Sequence, residues 1–273
     1  MARNTGDAQA DGPKERQLAI AEAVIKHGTI SVEKLAALTG VSVMTVYRDL
    51  AQLEDRGVLQ RHRGKVVAVA SAMQEADAEF RLEQQAALKR DVAAVAAQMV
   101  PSGGSLMLDD STSGIWLLRA LPQTMPLTIV TNSLLVANEV VERNSIKLVL
   151  AGGTYEPWAR SLMGPSVTDF VRSMHADVSV VSASGISGLA CFHPYQDNVA
   201  VKRAMLDSAE RRIMLLDHSK FSRRALFQFA TLDEFDAVVV DSGTTEEAVE
   251  GLRAQGVMVE VAPHLDEETT PGA

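Results

Sequence analysis

Residues 41–57, VSVMTVYRDLAQLEDRG, carry the spacing of a helix that buries one face and presents the other. Ser42 suits the N-cap, where its hydroxyl accepts a backbone N–H of the first turn. Val43, Val46, Leu50 and Leu53 recur at helical intervals and supply a buried stripe. Gly57 suits the C-terminal stop. The outward residues are then Met44, Thr45, Tyr47, Arg48 and Gln52, a surface rich in hydrogen-bonding groups. Just upstream, ISVEKLAALTG gives a shorter apolar-periodic segment that ends at Gly40. Two short helices joined by a tight turn, the second with such a face, make a helix-turn-helix. An ordinary helical hairpin with a solvated face has the same spacing. The next segment favours the first reading. Residues 58–67, VLQRHRGKVV, read as strand, tight turn at Gly64 and strand, with Arg61, His62, Arg63 and Lys65 around the turn. A basic hairpin after a recognition helix is placed as a wing, able to touch phosphates or a minor groove.

The chain has 273 residues, long for one domain and comfortable for two, and 47% of them are hydrophobic. No apolar run approaches the roughly 20 residues of a membrane span. Residues 1–13 lack the apolar stretch of a signal peptide and read as a disordered leader. The single cysteine, Cys191, excludes an internal disulfide and a cysteine-based metal cluster, and reads as a lone buried thiol. These features point to the cytoplasm, with no metal site expected. The net charge of −9 is unevenly spread: residues 1–65 hold ten basic and eight acidic side chains, a net of +2, and the rest carries −11. Such asymmetry suits a DNA-binding head on an acidic body. With so small an excess, two or more heads per assembly are needed for useful affinity.

The head begins with a helix over 15–27, with Leu18, Ala21, Val24 and Ile25 on one side and Gly28 ending it, and is expected to span 14–70. Residues 73–99 lack proline and glycine, and a single connector helix is expected within 71–100, packing Phe80, Leu88, Val92 and Val95 inward. From 105 the texture changes to short apolar runs at 106–108, 127–130, 147–150, 178–181, 213–216 and 237–240, with helical patterns between most of them. Near-continuous Val, Ile and Leu strands alternating with helices indicate a parallel sheet covered on both faces. The fold class is therefore α/β, with this body over 101–262 and an acidic, disordered tail over 263–273.

Ligands of open parallel sheets sit beyond the carboxyl ends of the strands. Five such loops here carry chemistry: Asp109–Gly114, 131–133, 152–154, 182–188 and 217–221. Hydroxyls and free amides at helix starts suit an anion, phosphate above all. Lys202 and Lys220 are placed to neutralise it, and Asp109 and Asn132 to hold sugar hydroxyls. Taken singly, each loop also reads as cap and turn residues. No P-loop and no GxGxxG is present, which disfavours a nucleotide, and no cofactor is expected.

These residues together resemble the DeoR family of bacterial transcriptional regulators over nearly the whole chain. The head looks like the family's winged helix-turn-helix, whose VS and T-I-R-R-D-L pattern stands here as Val41-Ser42 and Thr45-Val46-Tyr47-Arg48-Asp49-Leu50. The body is similar to its sensor domain, which shares its fold with ribose-5-phosphate isomerase and CoA transferases. The matching pieces are LDDSTS at 108–113, VTNS at 130–133, AGG at 151–153, SLMG at 161–164, SASGI at 182–186, VKRAM at 201–205 and LDHSKF at 216–221. The resemblance implies a repressor of carbohydrate genes whose sensor binds a phosphorylated sugar. By position, Asp109, Ser111, Thr112, Ser113, Asn132, Gly153, Gly185, Lys202 and Lys220 line that pocket. Four departures mark this chain. Tyr47 replaces the first arginine of the recognition helix, and the wing turn has one glycine fewer. Ser111 stands where the first sensor loop usually has glycine, and Asn198 occupies the neighbourhood of a missing acidic residue.

The reading is thus a non-enzymatic DNA-binding regulator, a dimer or tetramer, whose partners are double-stranded operator DNA and a phosphorylated sugar, with no membrane partner. The alternative is a sugar-phosphate isomerase-like enzyme with an accessory head, in which Asp109, Lys202 and Asp217 form an acid–base set.

Overall fold

The computed structural model describes residues 12–62, 64–68 and 74–265, apart from the side chain of Lys26. The chain forms two compact units, residues 1–84 and 85–273.

In the first unit, α1 (Pro13–His27) starts with proline in its first turn and stops at Gly28, whose φ of 70° lies in the left-handed region that glycine enters without strain. A short strand β1 (Thr29–Ser31) follows, then α2 (Val32–Thr39), capped by the Ser31 hydroxyl. The recognition-helix candidate is α3 (Val43–Asp55), where Ser42 accepts the Thr45 N–H at 3.2 Å. The hairpin β2 (Leu59–His62) and β3 (Lys65–Ala68) then pairs with β1, giving a three-stranded sheet in the order β1-β3-β2. Ile20, Ala21, Val24, Leu35, Val46, Leu50, Leu53, Val58 and Val66 form the core. Two expected core residues fall outside it. Val43 is exposed because it sits in the first turn of α3, ahead of the buried stripe, and Ile25 is exposed in the last turn of α1.

The single connector helix is corrected by the structure. Residues 78–97 form two helices, α4 (Ala78–Glu83) and α5 (Ala86–Ala97), separated by Gln84 in an extended conformation and Gln85 at φ 53° and ψ 39°. Each half is committed to a different core. Asp77 caps α4 through the Phe80 N–H, and Phe80 is buried with the head residues. Val92, Ala93 and Ala96 of α5 are buried in the second unit, where α5 packs on α6 and the sheet. Leu88 and Val95 are only half-buried, and Met73 lies outside the described residues.

The second unit continues with β4 (Ser105–Leu108), α6 (Thr112–Ala120), β5 (Leu127–Thr131), α7 (Leu134–Val140) and β6 (Ile146–Leu150). A small hairpin of β7 (Thr154–Glu156) and β8 (Ser161–Met163) leads into α8 (Pro165–Arg172) and β9 (Ala176–Ser182). Next come β10 (Gly185–Ser187), β11 (Ala190–His193), α9 (Gln196–Asp207), β12 (Ala209–Leu216), β13 (Phe227–Thr231), β14 (Ala237–Asp241), α10 (Glu246–Arg253) and β15 (Val259–Ala262). Seven strands form one sheet in the order β15-β14-β12-β9-β4-β5-β6, and every pairing is parallel. All six apolar runs of the sequence are strands of it. The seventh, β15, has only two buried residues out of four and carries no such run. Cys191 is fully buried, and that burial pushes its thiol up from the usual range. The start of the tail is held: His264 Nδ1 lies 2.9 Å from Asp91 Oδ2, and the Leu265 carbonyl accepts from Arg90.

Candidate functional site

The first candidate surface is the outer face of α3 with its wing. Met44, at 74% exposed, together with Tyr47, Arg48 and Gln52, faces solvent; Thr45 is half-buried and hydrogen-bonds the Ser42 hydroxyl. Behind this face, buried Asp49 accepts from Arg16 Nε at 2.6 Å and Nη2 at 3.0 Å, which fastens α3 to α1. Gln17 of α1 also reaches Gln52, so that side chain is partly spent inside the head. Arg61 is spent more fully. Its Nε donates to Glu54 Oε2 at 2.7 Å, its backbone N–H donates to Oε1 at 2.8 Å, and its guanidinium lies 5.7 Å from the centre of the Tyr47 ring. The residue that departs from the family pattern on the recognition helix therefore stacks with the wing. His62 and Lys65 are exposed and pair across the hairpin end, while Arg63 lies outside the described residues.

The second candidate is the carboxyl edge of the parallel sheet, where all five loops gather because every pairing is parallel. At its centre, Asp109 follows β4 and Lys202 comes from the second turn of α9. They form an ion pair with both side chains at most 3% exposed. The Asp109 carboxylate also accepts the Ser111 N–H at 2.9 Å, and Lys202 Nζ lies 4.0 Å from Asp110 and 5.8 Å from the centre of the Phe229 ring. Asn198, the family departure one turn earlier on α9, donates to Asp110 at 2.9 Å. An amide here pairs with the second carboxylate, where an acid would repel it.

Several expected residues are used structurally. Ser111 caps α6 by accepting the Gly114 N–H, and Thr112 and Ser113 are buried in the first turn of that helix. Asn132 donates to the Leu162 carbonyl at 2.9 Å, while its Oδ1 has no partner among the described residues. Gly153 and Gly185 are required by close approach. A Cβ on Gly153 would stand 2.5 Å from the Met163 carbonyl, and one on Gly185 would stand 2.5 Å from the Arg223 carbonyl. Gly185→Ala is therefore expected to cost about 1–3 kcal/mol, lowering Tm in calorimetry by roughly 2–4 °C per kcal/mol.

Lys220 lies 3.9 Å from Asp217 at the end of β12. Burial pushes the Asp217 carboxyl up, but Lys220, the Ser219 hydroxyl, Lys89 and Arg223 together outweigh it and leave the group below its usual range. Lys220 is the cation in contact with this buried carboxylate, and Lys89 and Arg223 act on it at longer range. Beside them, Phe221, Arg223 and Arg224 line an open cavity of about 340 Å³ with residues 186–188. Lys89, buried on α5, was invisible as a site residue from sequence because it sits in a helical stretch about 130 positions away. His218 is likewise tied to Asp241 at 2.8 Å.

Family profiles match both units: the DeoR-like helix-turn-helix domain over residues 16–72 and the DeoR C terminal sensor domain over residues 84–242. Among relatives, the transcriptional repressor AccR of Agrobacterium fabrum is 30% identical over 234 residues, covering 85% of this chain and 90% of its own. The HTH-type transcriptional repressor GlcR of Bacillus subtilis is 30% identical, covering 84% and 88%. The glycerol-3-phosphate regulon repressor of Escherichia coli is 28% identical, covering 90% and 98%. Ribose 5-phosphate isomerase A of Methanocaldococcus jannaschii superposes with a TM-score of 0.37 at 15% identity, covering 49% of this chain and 53% of its own, too slight a likeness to bear on function. With both of its units matched in order and its sensor profile spanning more than half of its length, the chain belongs to the DeoR family.

Proposed function

We propose that this chain is a transcriptional regulator that represses a carbohydrate operon and is released from its operator by a phosphorylated sugar bound at the carboxyl edge of the sheet. The observation that carries the reading is Lys220 beside Asp217 at the strand end, with Arg223 and Arg224 lining the adjoining cavity, on the same strand edge as the buried Asp109–Lys202 pair. A phosphate dianion placed there is drawn by the lysine and arginine side chains of this edge through charge-assisted hydrogen bonds. Repressors among the relatives support the same direction. The body binds without turning over its ligand: Lys202 is committed to Asp109, and Asp217 is held by its own loop, so neither stands ready as a general base. We further propose that the protein acts in the cytoplasm, as a dimer or higher homo-oligomer that sets paired heads on two half-sites. Among the described residues no helix is long and apolar enough to cross a membrane.

The test is thermal shift of the full chain against a panel of sugar phosphates, repeated with Lys220→Ala, followed by operator release. The operator is first selected from random duplexes. A ligand that raises Tm in the wild type, loses that effect in Lys220→Ala and weakens operator binding supports the reading. A body that no sugar phosphate shifts sinks it. On the DNA side, Lys65→Ala is expected to weaken binding alike on all sequences and to reduce the log–log salt slope by about one, as loss of a single phosphate contact does. Fluorescence anisotropy across a salt series measures it.

A further inference from the structure

Three aromatic rings meet beside the loop site, and nothing described so far uses them. Trp158 stands in the turn between β7 and β8, and His193 and Tyr195 precede α9. The Trp158 and Tyr195 ring centres are 4.6 Å apart, those of His193 and Tyr195 5.9 Å, and those of Trp158 and His193 6.5 Å, all in tilted arrangements. The Tyr195 N–H donates to His193 Nδ1 at 3.2 Å, which fixes the imidazole beside the other two rings. His193 is buried, whereas Trp158 and Tyr195 are half-exposed. Tyr195 is the N-cap residue of α9, three positions before Asn198, which holds Asp110. On its other side the Trp158 turn is tied to the loop after β5: the Leu134 N–H donates to the Arg160 carbonyl, and Ser161 bridges Ser133. The rings therefore span the gap between the β5 loop and the start of α9, on the rim of the site.

A second observation lies in the same two loops. Asn132 Oδ1 and Ser161 Oγ belong to fully buried side chains, and neither has a hydrogen-bond partner among the described residues. Buried polar atoms are mostly hydrogen-bonded, and these two unpaired oxygens lie in adjoining segments joined by the Ser133–Ser161 bridge. Two such oxygens in the segments that adjoin a half-exposed aromatic cluster match a ligand with hydroxyls on one edge and an apolar C–H face on the other. A closed sugar ring has that form. An open polyol chain has the hydroxyls without the rigid face.

We infer that Trp158, Tyr195 and His193 form a stacking subsite that selects a ring-closed sugar phosphate over its open-chain equivalent, with Asn132 and Ser161 taking ring hydroxyls. This rests on the sugar-phosphate reading above and deepens it. The two tryptophans are Trp116 and Trp158, so Trp116→Phe leaves Trp158 as the sole indole reporter. In that background the full chain is titrated with glucose, galactose and mannose 6-phosphates, each beside its alditol 6-phosphate. At least one ring sugar is expected to change Trp158 fluorescence and to bind roughly three- to tenfold tighter than its alditol. Trp158→Ala, read by calorimetry, removes that gap and leaves alditol affinity unchanged, while Trp158→Phe keeps most of it, which a merely structural role would not produce. Equal affinities for ring and chain, or a gap that survives Trp158→Ala, overturn the subsite while the phosphate reading stands. If no ring or alditol phosphate binds, the phosphate reading itself fails and the subsite falls with it.

Discussion

Lys202→Met is expected to lower the stability of the body by about 3–5 kcal/mol, the usual penalty for stripping the partner from a buried charge. Lys202 sits against two carboxylates, Asp109 and Asp110, and all three side chains are at most 3% exposed. Methionine fills the aliphatic volume and keeps the contact with Phe229, so packing changes little and the loss reports charge. What remains for Asp109 is the Ser111 N–H and a long contact to the Ser182 N–H at 3.5 Å, too little to replace an ammonium. The companion variant is Asp109→Asn with Lys202→Met, which removes the closer ion pair and leaves Asp110 held by the Asn198 amide. Because a buried pair is often no more stable than a neutral substitute of the same shape, the double variant is expected to recover most of the lost Tm. If it does not, the pair contributes attraction beyond mutual compensation. The restored variant also separates structure from binding. A pair kept for sensing leaves a stable double variant deaf to sugar phosphate, and one that still responds shows that Lys202 only props the loop.

The sheet and the recognition helix could be read from the sequence because both depend on short-range periodicity. Val46, Leu50 and Leu53 follow 3.6-residue spacing onto one core, and the buried strands are continuous apolar runs. The connector could not, because its break is not written in glycine or proline. Gln85 adopts a left-handed conformation that its residue type does not announce, at the point where the segment passes from the first unit to the second. The site divides along the same line. The strand-end loops follow from strand order, so Asp109, Asn132, Lys202 and Lys220 were accessible as candidates. Lys89, Trp158, His193 and Tyr195 were not, since their meaning comes from contacts across tens of residues. Arg61 adds a contact that the sequence does not announce: its charge and position fit a DNA contact, and it is exposed while paired with Glu54 and stacked on Tyr47. Local pattern cannot tell a cation facing solvent from one already paired.

Neighbouring residues of α3 are expected to fail in different ways. Asp49→Ala removes the acceptor that Arg16 and Gln17 share, leaving a guanidinium only 15% exposed without its carboxylate. The expected cost is about 3–5 kcal/mol, the penalty of breaking a mostly buried pair, concentrated in a small unit of 84 residues. That is a large fraction of what so small a unit has. The head should then melt separately and early, and DNA binding should vanish with it at a temperature where the body is still folded. Arg48→Ala touches nothing internal, because its side chain is exposed on the outer face. It should leave both melting transitions in place and cost about 1–3 kcal/mol of operator affinity with relaxed base preference. Calorimetry and anisotropy on the two variants separate the cases. An Asp49→Ala head that keeps its melting temperature would mean the ion pair holds nothing, and α3 would then be positioned by Val46, Leu50 and Leu53 alone. An Arg48→Ala loss that is equal on operator and random duplex would make Arg48 a phosphate contact. Tyr47, stacked on Arg61, would then become the first residue to test for base reading.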